Sequence, residues 1–212
     1  MHTVDDTLED GSASTDTAKR RQILNGAAEM FLAQGFDATS MGQIAKHAGV
    51  SKGTLYVYFD SKETLFSAMV ACHKERTAEQ WLLPDPECTD VEATLLELSC
   101  NHIERLTDPK HVKLVRMVIA ASERFPVVGQ RFYEAGPALG ARRLAGWLDT
   151  QVARGSLVIP DTTQAAWQLL GMLHHPTLVA VAMGGHPRPP REDMQEVARG
   201  AVRTFMAAYG PR

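Results

Sequence analysis

The sequence predicts an all-α fold, on three observations. Apolar residues recur three and four apart along most of the chain, the spacing of one helical face. No run alternates apolar and polar residues cleanly enough, or for long enough, to demand a strand. Gly, Pro and Ser collect between the periodic runs, where helices must stop. A chain of 212 residues, 44% hydrophobic and 22% charged, is ordinary for one or two soluble globular domains.

Residues 1–16 carry five acids, no base and no periodicity, which predicts a disordered acidic tail. This start has no apolar segment and does not read as a secretory leader. No uninterrupted apolar run reaches the roughly 18 residues of a membrane span, so no membrane partner is expected and the cytoplasm is the expected compartment.

A first helix is expected from about Thr17 to Gln34, where Ile23, Ala27, Phe31 and Leu24, Ala28, Leu32 form an apolar stripe. Gly35 offers a left-handed cap. Arg20 and Arg21 sit near the start of this helix, against the macrodipole, which points to an external partner such as phosphate. Ser40 and Gln43 fit a capping box that opens a helix at Met41, with Met41, Ile44, Ala45 and Ala48 facing inward. Gly49 ends it, Val50-Ser51-Lys52 turns, and Gly53 to Phe59 forms a second short helix. Asp60 and Ser61 then offer caps to a longer helix over Lys62 to Glu79. Leu83-Pro84-Asp85-Pro86-Glu87 breaks the pattern and marks the boundary between a head, 17–78, and a body, 79–212. The body predicts helices over Val91–Thr107, Lys110–Ser122, Phe125–Gly155, Asp161–Gly184 and Arg191–Tyr209. Pro137 and Pro176 fall inside two of them and must kink or break each.

Two short helices joined by a glycine-containing turn match the helix-turn-helix plan. The net charge of −3 argues against a nucleic-acid partner until its distribution is read. Residues 18–78 hold eight Lys or Arg against five acids, and the negative surplus lies elsewhere. Lys52, Tyr56, Tyr58 and Lys62 make a poor core face, whereas hydroxyls and ammonium groups donate to phosphate oxygens. Gly53 permits close approach of the backbone to DNA.

The run Ile23-Leu24-x-x-Ala27-x-x-x-Phe31-x-x-x-Gly35-Phe36, followed by Thr39-Ser40-Met41-x-x-Ile44-Ala45-x-x-Ala48-Gly49-Val50-Ser51-Lys52-Gly53-Thr54-Leu55-Tyr56-x-Tyr58-Phe59-x-Ser61-Lys62-Glu63-x-Leu65, resembles the N-terminal domain of TetR/AcrR-family transcriptional regulators. The resemblance implies an all-α homodimer with a three-helix DNA-binding head and a C-terminal helical body for ligand binding and dimerisation. It implies a ligand-responsive regulator, by family habit a repressor, which leaves double-stranded operator DNA when a small apolar or amphipathic ligand binds. By position, Ser40 is expected at phosphate, Lys52, Gly53, Thr54 and Tyr56 in the major groove, and Tyr58 and Lys62 on flanking phosphate. Val57 departs from the His, Tyr or Trp frequent there and cannot hydrogen-bond a base. Lys113 to Pro126 with Phe132-Tyr133-Glu134 resembles, more loosely, the C-terminal domain of AefR-like members.

In the body, Met194, Val197, Ala198, Ala201, Val202, Phe205, Met206 and Tyr209 form a wide stripe on the last helix. The 161–184 segment is apolar nearly all round and is expected to be buried on every side. Together they predict a dimer interface through Trp167, Leu170, Leu178, Val181, Met194, Val197, Ala201, Val202 and Phe205, the alternative being that they close the monomer core. Pocket candidates are His102, Met117, Phe125, Phe132, Trp147, Trp167, Met172 and His174, chosen as aromatic, Met or lone polar residues on inner faces.

No HExxH or GxxxxGK[ST] motif is present, and the GxSxG spacing of Gly49 to Gly53 falls in the turn between two short helices rather than after a strand, so the sequence offers no catalytic residue and no cofactor site. His174 and His175 are adjacent and point about 100° apart on a helix, which disfavours a shared metal. Cys72, Cys88 and Cys100 are too few and scattered for a disulfide framework and read as small apolar residues. The competing function is a helical interaction module without DNA binding, whose sign would be loss of the basic and hydroxyl residues after Ser51.

Overall fold

A computed structural model describes the backbone of residues 9–79, 85, 87–184 and 186–211, and the side chains of these except 9–16 and 73–79. Helices α1 (Glu9–Gln34), α2 (Met41–His47), α3 (Lys52–Tyr58), α4 (Lys62–Glu79), α5 (Val91–Leu106), α6 (Pro109–Arg124), α7 (Pro126–Tyr133), α8 (Leu139–Ala153), α9 (Thr162–His174), α10 (Ala180–Ala182) and α11 (Arg191–Tyr209) carry the fold, with no strand among the described residues. The all-α expectation holds.

The first helix differs from expectation at its start. Helix α1 begins at Glu9, so residues 9–16 are helical where a disordered tail was expected. Acidic residues at a helix N-terminus complement the macrodipole, and a helix nucleated further on extends at one hydrogen bond per residue fixed. Residues 1–8 of that tail, and most of the boundary segment Leu83 to Glu87, lie outside the described residues. Both interior prolines sit in π-helical turns, Glu134–Ala138 around Pro137 and His175–Val179 around Pro176. The wider turn carries the chain past a residue without an N–H, which is how the predicted interruptions are resolved. Pro109 and Pro126 each stand at the first position of a helix, where a missing N–H costs nothing. Asp108 caps the first of these, its carboxylate accepting from Lys110 N at 2.9 Å and His111 N at 3.2 Å.

The chain divides into two compact units, residues 1–73 with 121–131, and 74–120 with 132–212. The head unit therefore includes a stretch at the end of α6 and the start of α7 that the expected boundary near 78 assigns to the body. The reason is aromatic packing. Phe31, Phe36 and Phe66 cluster with ring centroids 4.9 to 5.7 Å apart, and Phe125 joins edge-on at 5.6 Å from Phe36. Arg131 Nη1 donates to the buried Ser67 hydroxyl at 3.0 Å.

In the second unit, one apolar core runs through α5, α8, α9 and α11. Leu95 and Ile103 of α5, Leu144 and Leu148 of α8, Leu169 and Leu173 of α9, and Ala198 of α11 are fully buried in it. Met194, Ala201, Val202 and Phe205 are buried in the same core, as is Leu170. Val181 is also buried, while Val197 and Leu178 are half-buried. The α11 stripe, expected to face a second chain, thus closes its own monomer. An apolar stripe records that a face is covered, not which chain covers it. The 161–184 segment is not buried on all sides either, since Trp167, Gln168 and Gly171 are exposed.

Candidate nucleic-acid interface

Helix α2 starts where Ser40 caps it. The Ser40 hydroxyl accepts from Gln43 N at 3.3 Å and donates to Gln43 Oε1 at 2.7 Å, while Ser40 N donates to the same Oε1 at 2.9 Å. The capping box read from Ser40 and Gln43 is complete. Both Ser40 donors are engaged within the chain, so the residue positions α2 and has no second hydroxyl proton for a phosphate. Between α2 and α3, Gly49 takes φ +66°, a left-handed conformation that a side chain would strain. Ser51 caps α3, accepting from Thr54 N at 3.0 Å. Ser61, rather than Asp60, caps α4 by accepting from Thr64 N at 3.1 Å.

Helix α1 holds this pair in place. A Cβ on Gly26 would lie 2.7 Å from Ala48 Cβ, so the backbones of α1 and α2 meet only because residue 26 is glycine. Gln22 Nε2 donates to the Ala48 carbonyl at 2.7 Å, closing the end of α2. His47 Nε2 lies 2.6 Å from a Glu29 carboxylate oxygen, an exposed pair. Leu55 and Phe59 are the buried anchors of α3.

With Leu55 turned inward, Lys52, Gly53, Tyr56 and Val57 are exposed, and Thr54 and Tyr58 are half-buried. A shallow groove lined by Asp37, Thr39, Ser40, Lys52, Tyr56 and Lys62, among others, brings together four of the seven expected DNA-contacting residues. Lys52 Nζ lies 6.0 Å from the centre of the Tyr56 ring, a cation–π approach that keeps both at the groove edge. Lys62 Nζ donates to the Phe36 carbonyl at 2.9 Å and the Asp37 carbonyl at 3.4 Å, and lies 4.4 Å over the Phe36 ring. Two of its three donors therefore tie α4 to the loop after α1, and one is left for the groove. Thr54 and Ser51 hydroxyls share one bond at 2.8 Å, so only one of their two protons is engaged there. Sequence reasoning passed over Ser51, whose signal is a Ser three residues before Thr54, and over Gln22 and Gly26.

The expected pocket residues do not form one group. Phe125 belongs to the head unit. Trp147 is a core residue whose indole N–H donates to the Asp85 carbonyl at 3.4 Å. Trp167 is exposed and lies parallel to exposed Tyr133, centroids 6.2 Å apart. Met117 is buried, Met172 half-buried against the core, and Phe132 half-buried, its ring 6.5 Å from that of His111. His102 and His174 meet, Nε2 to Nε2 at 2.8 Å, joining α5 to the end of α9. Burial, and then the Glu104 carboxylate, push the Cys100 thiol up, which lowers its thiolate fraction and reactivity at neutral pH.

Comparison with known proteins defines the class first. Residues 23–69 match the model for bacterial regulatory proteins of the tetR family, and residues 93–211 match that for the C-terminal domain of AefR-like transcriptional repressors. A crystal structure of a TetR-family transcriptional regulator from Mesorhizobium loti MAFF303099 is similar at 32% identity and TM-score 0.86, over 92% of this chain and 98% of that one. The flavonoid-responsive regulator FrrA is similar at 32% identity and TM-score 0.78, over 92% and 99%. Among curated relatives, the regulator QacR from Staphylococcus aureus is 37% identical over 67 residues, 32% of this chain and 36% of QacR. The chain thus spans about a third of the length of the curated relatives it matches. The chain belongs to the TetR family of transcriptional regulators, which is not a family of enzymes.

Proposed function

We propose that this chain is a ligand-responsive repressor that binds a pseudo-palindromic operator as a homodimer and leaves it when a small amphipathic molecule occupies the body. The observation that carries the DNA side is the exposed α3 face beside the groove that gathers Ser40, Lys52, Tyr56 and Lys62. Lys52, Gly53, Thr54 and Tyr56 enter the major groove, while Tyr58 and the remaining Lys62 donor hold flanking phosphate. A reading helix of seven residues is short, and two half-sites supply the affinity that one lacks.

One part of the expected interface, the face of α9 around Trp167, supports dimerisation. The exposed face of α9, with Trp167 and Gly171, is left uncovered by its own chain. A second copy covering Trp167 and its stacked neighbour Tyr133 removes two exposed aromatic rings from water.

The ligand side rests on the polar centre of α5. The Ser99 hydroxyl is fully buried with no hydrogen-bond partner among the described residues, one turn from His102. An unmet buried hydroxyl costs about 1–3 kcal/mol, and a ligand with hydrogen-bonding groups beside the His102–His174 pair relieves it. The similarity to a flavonoid-responsive regulator supports planar phenols as the first molecules to test. Ligand and DNA then compete through two states of the dimer with different head spacing. The working compartment is the cytoplasm, where operator DNA is found; among the described residues no helix is long and apolar enough to cross a membrane.

The test is a gel shift with the DNA upstream of the chain's own gene at two salt concentrations, repeated with a panel of flavonoids. A salt-sensitive specific shift is expected, weakened by at least one flavonoid. A shift absent at both salts supports instead the helical interaction module without DNA binding.

A further inference from the structure

We infer that Val57, with Gly53 one turn before it, forms an apolar line on the reading helix that recognises thymine methyl groups, making Val57 a specificity-determining residue; this rests on the DNA-binding reading above. Successive helical residues turn by about 100°, so Gly53 and Val57 fall diametrically opposite fully buried Leu55. They occupy the outermost line of α3, flanked by Tyr56 on one side and by Thr54 and Tyr58 on the other. Val57 is 83% exposed, more than any other large apolar side chain described as exposed.

Gly53 supplies an independent observation. Its φ is not positive, and a Cβ added to it would meet only Ser51 Oγ at an ordinary 3.7 Å. Nothing among the described residues requires glycine there, and glycine weakens a helix relative to alanine. The missing side chain is explained by a surface outside the molecule that approaches the backbone closely. A groove floor does so when the outermost line of a helix lies against it.

The chemistry of Val57 then selects the base. An isopropyl group neither donates nor accepts a hydrogen bond, and the one apolar feature in the major groove is the C5-methyl of thymine. A protein partner would call for a broader apolar patch, whereas Val57 stands alone among Lys52, Thr54, Tyr56 and Tyr58. The departure at position 57 thus replaces hydrogen-bond readout by methyl readout rather than removing readout.

The test begins with the site that the wild-type chain enriches from random duplex DNA, in which each thymine is replaced singly by deoxyuridine. At one thymine per half-site the replacement is expected to weaken binding about fourfold, the effect of one buried methyl-sized group. Val57→Ala is expected to weaken binding to the thymine site and to erase the difference between thymine and deoxyuridine. Gly53→Ala is expected to retain the helical circular-dichroism spectrum and lose at least tenfold in affinity. Equal affinity for thymine and deoxyuridine at every position overturns the assignment, as does a Val57→Ala chain that keeps the full difference. A wild-type chain that retains no duplex from the pool overturns the DNA-binding reading itself, and the Val57 assignment with it.

Discussion

The head and the body hold their key side chains over different distances. Around α3, most are held by bonds that span three or four residues: Ser40 with Gln43, Ser51 with Thr54, Ser61 with Thr64. In the body, the His102–His174 bond joins residues 72 apart, and the α11 stripe meets α5 and α9 from the far end of the chain. Short-range devices set where helices begin and which side chains they present. Long-range packing decides what those helices cover. The head is therefore a set of local instructions on an aromatic core, whereas the body takes its meaning from its partners.

Several substitutions break or sharpen this contrast. The largest effects come from the two cores. Phe31→Ala in the head and Phe205→Ala in the body, both essentially fully buried, should each cost about 3–5 kcal/mol by chemical denaturation. Phe205→Ala distinguishes core from interface: its cost should be the same at high and low protein concentration. A cost that shrinks as concentration rises would return the stripe to the dimer interface. Gly26→Ala should destabilise by about 1–2 kcal/mol, since the clash with Ala48 outweighs the gain in helix propensity; a more stable variant would show that α1 and α2 can separate cheaply. Ser40→Ala should lose about 1 kcal/mol and leave the body's thermal transition in place. Smallest is Glu29→Gln, which removes the exposed pair with His47 and should shift stability by less than about 1 kcal/mol, less still in high salt.

The same contrast explains what the sequence made legible. The Ser40–Gln43 box, the glycine turn at Gly49 and the α11 bounds Arg191–Tyr209 were readable because each depends on neighbours in the chain. The interruptions at Pro137 and Pro176 were readable for the same reason, although their form as π turns was not. The destination of the Met194 to Phe205 stripe was not readable, because periodicity carries no information about the covering surface. Position along the chain places Phe125 in the body, and its packing against Phe36 is visible only in three dimensions. Within the candidate site, residue types pointed to the face of α3 that the structure leaves exposed, but the engagement of Lys62 with the Phe36 carbonyl depends on a residue 26 positions away. Val57 reads as a loss only when readout is equated with hydrogen bonding; its position opposite Leu55 is present in the spacing.

The claim on which everything else depends is that the exposed face of α3 is a DNA surface. The most direct measurement is the affinity of the enriched duplex as a function of salt, for the wild-type chain and for Lys52→Ala. The wild-type chain should bind specifically, with a steep fall of log affinity against log salt. Lys52→Ala should bind more weakly, with a slope shallower by about one, the change expected when one ammonium group no longer neutralises a phosphate. Identical affinity and slope in the two proteins, or binding indifferent to salt, would contradict the account.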